Sequence, residues 1–148
     1  MKSLLNAIDN SKTKHENMNQ DNLIIDTDFL LALILSEEPN HLKAIKIWQK
    51  SNFGTIFVLN LVKYEALNVL SRKLPQVEAT RYFDLIDWTA LNYIFMDQNL
   101  ESKSIEIYKN QNKKNISTAD CAILVLARQL NCKIASFDHF YPKEFLLN

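Results

Sequence analysis

The chain has 148 residues, 47% apolar and 23% charged, enough for one compact domain and too few for two independent cores. Its 17 basic residues balance 17 acidic ones, and it holds a single glycine, Gly54. Neither a strong positive field nor an acidic, solvating character marks it, and the glycine-rich phosphate loops of dinucleotide-binding and Walker-type folds are excluded.

Residues 1–21 are polar and rich in Asn, Lys and Asp, and read as a loosely held arm with no catalytic role. Met18, just ahead of the patterned sequence, is also compatible with an upstream start extension. The arm lacks the continuous apolar stretch of a signal peptide, so export is not expected. From Asn22 onward short apolar runs alternate with helical patterns, the signature of an α/β protein with a mostly parallel sheet. Leu23–Ile25 is the first predicted strand. Asp28–Ser36 and His41–Ser51 follow as helices, the second with Asn40 as its N-cap. Thr55–Leu59 is the second strand, after which Asn60 is placed to cap a helix over 61–73 that Pro75 stops. A helix over 76–87, a strand over 91–96, and helices over 100–110 and 118–130 come next. Lys133–Phe137 is the fourth strand and Glu144–Leu147 a candidate fifth. Residues 22–148 are therefore expected to form one α/β/α sandwich around a four- or five-stranded sheet, with helices on both faces.

No apolar run approaches the ~20 residues of a membrane-spanning helix, so no membrane association is expected. Cys121 and Cys132 lack zinc-ligand spacing and are too few for a disulfide-stapled secreted fold, which makes a reducing cytoplasm the expected location.

Four acids stand where an acid is costly, since desolvating an unpaired carboxylate costs on the order of several kcal/mol. Glu65 lies three residues after Val62 and four before Val69, on or beside the helix face that meets the sheet. Asp120 leads the apolar stripe of Ile123, Leu124 and Ala127. Asp26 follows the strand Leu23–Ile25, and Asp138 follows the run Ile134–Phe137. Each alone also reads as an ordinary cap, turn or first-turn residue. If the two strands are neighbours, however, Asp26 and Asp138 face one crevice beyond the carboxyl ends of the sheet, with Glu65 and Asp120 opening towards the same edge. Four carboxylates so placed should raise one another's pKa or bind a hard divalent cation, Mg²⁺ or Mn²⁺. Zinc is less expected, because His15 and His41 lie outside this crevice; His139, next to Asp138, reads as a solvated loop residue or as an assisting ligand or proton carrier.

These segments together resemble the PIN domain, the nuclease fold of VapC-like toxins in toxin–antitoxin pairs. The first acid stands in Ile24-Ile25-Asp26-Thr27-Asp28-Phe29-Leu30 and the second in Tyr64-Glu65-Ala66-Leu67-Asn68-Val69-Leu70. The third stands in Ser117-Thr118-Ala119-Asp120-Cys121-Ala122-Ile123, and the fourth in Ala135-Ser136-Phe137-Asp138. The resemblance covers nearly everything after the arm. It departs at Asp28, where family members often carry Ser or Asn, and at Asn60, where a Ser often precedes the Glu-bearing helix. Ser136 keeps the frequent hydroxyl two residues before the last Asp.

What the resemblance implies is metal-dependent hydrolysis of RNA, leaving a 5′-phosphate and a 3′-hydroxyl. Asp26, Asp120 and Asp138 would hold the principal Mg²⁺ or Mn²⁺, Glu65 would support a second ion or its water, and Thr27 and Ser136 would assist. It also implies a small antitoxin as partner and a possible homodimer. With the four acids set aside, seventeen basic residues stand against thirteen acidic ones, a net charge of +4; Lys63, Lys113 and Lys114 are candidate phosphate contacts, although scattered lysines also serve plain solvation. Tyr64, Phe140 and Tyr141 read either as stacking surfaces for a base or as core and rim packing. Two rival readings remain: a haloacid-dehalogenase-like phosphatase using Asp26 and Asp28, against which the scarcity of glycine counts, and a non-catalytic protein-interaction module of the same fold.

Overall fold

The computed structural model describes residues 21–86 and 88–147. The predicted N-terminal arm lies outside the described residues except for Asp21, which opens the first strand. In chain order the elements are β1 (Asp21–Ile25), α1 (Thr27–Ile34), α2 (His41–Lys50), β2 (Phe53–Leu59), α3 (Asn60–Lys73) and α4 (Gln76–Asp84). A short 3-10 turn at Trp88–Ala90 leads to β3 (Asn92–Ile94), α5 (Gln98–Asn110), α6 (Thr118–Leu130) and β4 (Lys133–Ala135).

The four strands form one sheet in the order β3-β2-β1-β4, all neighbours parallel. Ile24 lies between Phe57 of β2 and Ile134 of β4. Successive residues of a strand point to opposite faces, and Leu23, Ile24 and Ile25 are all 1% exposed or less, so both faces of the sheet are covered by helices. The register slips between Asp21 and Leu23, where the Asn22 side chain accepts the Thr55 N–H at 2.9 Å in place of a ladder carbonyl. The chain runs outward from β1 through β2 to β3, then returns to the other side of β1 as β4. That reversal opens a crevice at the carboxyl ends of β1 and β4, where α/β sheets bind their ligands.

Most predicted elements are present, and α6 has the boundaries its pattern required. Its apolar stripe is buried from Cys121 to Ala127, and Asn131 closes it in the left-handed conformation at φ 50°, which asparagine tolerates well. Several details differ from expectation. Asn60 begins α3 rather than capping it; its side-chain oxygen instead accepts the Met96 N–H at 3.1 Å and ties the end of β3 to the helix. Asn40 holds the cap position of α2 without a side-chain capping bond. Asp97 caps α5 by accepting the Leu100 N–H at 2.7 Å, so that helix starts two residues earlier than predicted. The C-terminal segment makes a single parallel bridge between Ile134 and Leu146 rather than a strand, because turns back to Pro142 and Lys143 engage the Phe145 and Leu146 N–H groups. Both cysteines are buried and unpaired. Among the described residues no helix is long and apolar enough to cross a membrane.

Candidate active site at the carboxyl edge of the sheet

Asp26 leaves β1 at the switch point. Its backbone N–H donates to the Ala135 carbonyl at 3.0 Å, extending the β1–β4 ladder by one bond, and its side chain caps α1 by accepting the Thr27 N–H at 2.7 Å. The remaining carboxyl oxygen accepts the Tyr141 hydroxyl at 2.9 Å. Asp26 is 5% exposed. Burial raises its pKa, the charges of Asp28 and Asp120 add to the effect, and together they bring it to about 8 against the bonds from Thr27 and Tyr141.

Asp120 reaches the same point from the first turn of α6. A reciprocal capping box fixes it: the Ser117 N–H and hydroxyl donate to one Asp120 oxygen at 2.6 and 2.8 Å, and the Asp120 N–H donates to the Ser117 oxygen at 3.1 Å. This leaves the other carboxyl oxygen facing the Tyr141 hydroxyl at 3.5 Å. One buried phenol thus stands between two acids, and desolvation followed by the charges of Asp26 and Asp120 drives its pKa far upward. Replacing Ser117 by Ala is expected to lower stability by about 1 kcal/mol, measured by denaturant unfolding, through loss of the cap.

Glu65 is exposed on α3 and is linked to the cluster through Thr27, whose hydroxyl donates to it at 2.7 Å. Ser136 organises the opposite rim, donating to Asp28 at 3.1 Å and accepting the Asp138 N–H at 3.0 Å. Asp28 also accepts the Phe137 N–H at 2.9 Å. Partial desolvation of its carboxylate raises its pKa, opposed by the Phe137, Ser136 and Phe29 donors, while the Asp138 charge raises it further. Asp138 accepts the Phe140 N–H at 2.7 Å, a local turn bond.

The four expected acids therefore converge on one sheet edge without forming a closed cage. Among the described residues no group of three or more His, Cys, Asp and Glu side chains is gathered tightly enough to hold an ion as it stands. Each of the four acids accepts a hydrogen bond from a nearby N–H or O–H donor. The donor chemistry nevertheless fits a hard divalent cation. Every group is oxygen, the charges of Asp28 and Asp120 both act against that of Asp26, and among the described residues the ion pair of Lys73 with Glu38 includes none of them.

The expected phosphate-contacting lysines are distributed differently. The Lys63 ammonium stands over the rings of Trp88, Tyr93 and Phe83 at 5.2, 5.5 and 5.7 Å. Lys113 donates to the His139 and Phe140 carbonyls at 2.8 and 3.2 Å, holding the loop after Asp138. Lys114 is exposed. Tyr141 and Asp28 stand at the acids in roles the sequence did not give them: Tyr141 read as a stacking or packing residue, and Asp28 as a departure from the family pattern or the second acid of a phosphatase. The local signals were a tyrosine just after the last acidic motif and a second acid two residues after the first.

A parallel sheet whose switch point gathers acids from one strand end, one helix start and the flanking loops defines an acidic α/β site whose donor chemistry suits a divalent cation. The chain belongs to the PIN domain family, whose model matches residues 23–142. It is 28% identical over 120 residues to the VapC ribonuclease of Archaeoglobus fulgidus, covering 78% of this chain and 76% of that protein. In structure it resembles Mycobacterium tuberculosis VapC20, described as a Sarcin-Ricin loop cleaving toxin, with TM-score 0.70 and 18% identity over 80% of this chain and 91% of the other. A toxin-antitoxin complex from Klebsiella pneumoniae matches with TM-score 0.54 and 19% identity over 80% of this chain and 88% of the other. At these identities the structural likenesses establish the fold.

Proposed function

We propose that this chain is a ribonuclease of the VapC kind, the toxin of a toxin–antitoxin pair, and that it works with Mg²⁺ or Mn²⁺ in the cytoplasm. Residues 22–148 form the nuclease domain and residues 1–21 an arm outside the chemistry. The observation that carries this reading is the pair of Asp26 and Asp120, drawn to one tyrosine hydroxyl at the switch point of the sheet, with neither acid in an ion pair among the described residues. Similarity to a VapC ribonuclease over most of both chains supports it.

Asp26, Asp120 and Asp138 would hold the principal cation, with Glu65 supporting a second ion or its water. When bound, the cation supplies charge stabilisation for the phosphate and a more acidic water. The chain's own residues prepare the site. Thr27 orients Glu65, Ser117 fixes one oxygen of Asp120 and leaves the other directed inward, and Ser136 joins Asp28 to the Asp138 loop. Tyr141 is a positioning residue: its buried hydroxyl sets the separation of the Asp26 and Asp120 carboxyls.

The phosphatase alternative needs Asp26 as an ionised nucleophile and Asp28 as a proton carrier. Asp28 is already engaged by the Ser136 hydroxyl and the Phe137 N–H. The family match also stands against it. A small antitoxin and a second copy of the chain are the proposed partners. The test of the enzyme reading is incubation of antitoxin-free protein with unpaired and structured RNA, in Mg²⁺, Mn²⁺ or chelator. Cation-dependent fragments ending in 5′-phosphate support the proposal, and intact RNA under every condition favours the non-catalytic interaction module.

A further inference from the structure

A groove of about 500 Å³ runs between α3 and the first turn of α6 and begins at the acids. Glu65 lines one wall and is bonded to Thr27, next to Asp26; Ser117 lines the other and holds Asp120. A strand with a phosphate at Asp26 and Asp120 would lay its neighbouring residues against this opening. Along the α3 wall, Tyr64, Asn68 and Arg72 recur every four residues on one helix face, a row spanning about 12 Å. Tyr64 is 58% exposed, and Arg72 is exposed and in no ion pair among the described residues.

The row offers a flat ring, a side-chain amide and a guanidinium, the three groups that grip unpaired RNA by stacking, base-edge hydrogen bonds and phosphate contact. A helical protein partner would call for a largely apolar lining, whereas among the residues that line this groove Leu61 and Ala119 alone lack a polar side-chain group. We propose that this groove is the subsite for unpaired ribonucleotides adjoining the cleaved phosphate, with Tyr64 stacking on a base and Arg72 meeting the backbone. The proposal rests on the ribonuclease reading and names how its substrate is held.

The test measures binding of a fluorescent unpaired oligoribonucleotide by fluorescence anisotropy to the full chain carrying Asp26→Asn, together with cleavage kinetics in the otherwise unaltered chain. Tyr64→Ala should weaken binding roughly 5- to 100-fold and raise KM more than it lowers kcat, while Tyr64→Phe restores both. Arg72→Ala should weaken binding and reduce the slope of log affinity against log salt by about 1. Tyr108→Ala, exposed on α5, should change neither, and thermal melts of all four variants should match the parent. If the unaltered chain cleaves RNA while Tyr64→Ala and Arg72→Ala bind and cut as well as it does, the groove proposal is overturned and the ribonuclease reading stands. If the unaltered chain neither binds nor cuts RNA, both fall.

Discussion

Asp26→Asn should abolish RNA cleavage, by a factor on the order of a thousand or more, and at the same time make the cation-free protein more stable at pH 8. The two effects share one cause. Asp26 is almost fully enclosed and faces Asp28 and Asp120, so its ionised form is disfavoured in the fold. An amide keeps the size of the side chain, and its oxygen can still accept from Thr27 or Tyr141. It removes the charge that burial penalises and also the charge a cation needs. Cleavage assays alongside thermal melts in chelator would show both. A variant that loses activity because it unfolds would show the opposite shift in melting temperature, which makes the pair of readouts decisive.

The second large effect is a pH dependence that a divalent cation should reverse. In the unfolded chain Asp26 titrates near its ordinary value of 3.8, and in the fold it titrates at about 8. Between those values the folded state holds a proton that the unfolded state has released. The stability from this group is therefore complete below about pH 3.8 and drains away as pH rises towards 8, with a limiting slope of about 1.4 kcal/mol per pH unit for one proton. Denaturant unfolding in chelator should become easier from pH 5 to pH 8 and level off above. Asp26→Asn should flatten that trend. In the proposed reading Mn²⁺ or Mg²⁺ would bind the ionised form, so added cation should stabilise the protein more at pH 8.5 than at pH 5.5, where it would compete with the proton. A cation effect that is equal at both values would contradict coupling through Asp26.

The parts of this site that were legible in the sequence are those whose signal is local. Asp26 directly follows an apolar strand, and Asp120 heads a strongly apolar helix, so each stands out from its own pattern. The limits of α6 were readable because Ser117, the stripe from Cys121 to Ala127 and Asn131 all agree. What could not be read depends on contacts distant in sequence. Tyr141 bonds to a residue 115 positions away, and its neighbours Phe140 and Pro142 mark only a packed tail. Lys63 and Lys113 have the composition of phosphate contacts, but tertiary packing places one over three aromatic rings and ties the other to a loop. Asn60 has the right residue type for a cap, yet its oxygen is taken by Met96 on a neighbouring connection. The acids were expected as a tight cluster. They stand instead along one edge, each held by its own donor, with Tyr141 between Asp26 and Asp120.

The most direct measurement is a calorimetric titration of Mn²⁺ into the full chain at pH 8.5, repeated with Asp26→Asn, Asp120→Asn and Tyr141→Phe. Saturable binding by the unaltered chain, lost in both asparagine variants and weakened roughly 10- to 100-fold in Tyr141→Phe, is the predicted result. No saturable heat with the unaltered chain, or binding that survives Asp26→Asn and Asp120→Asn unchanged, would contradict it.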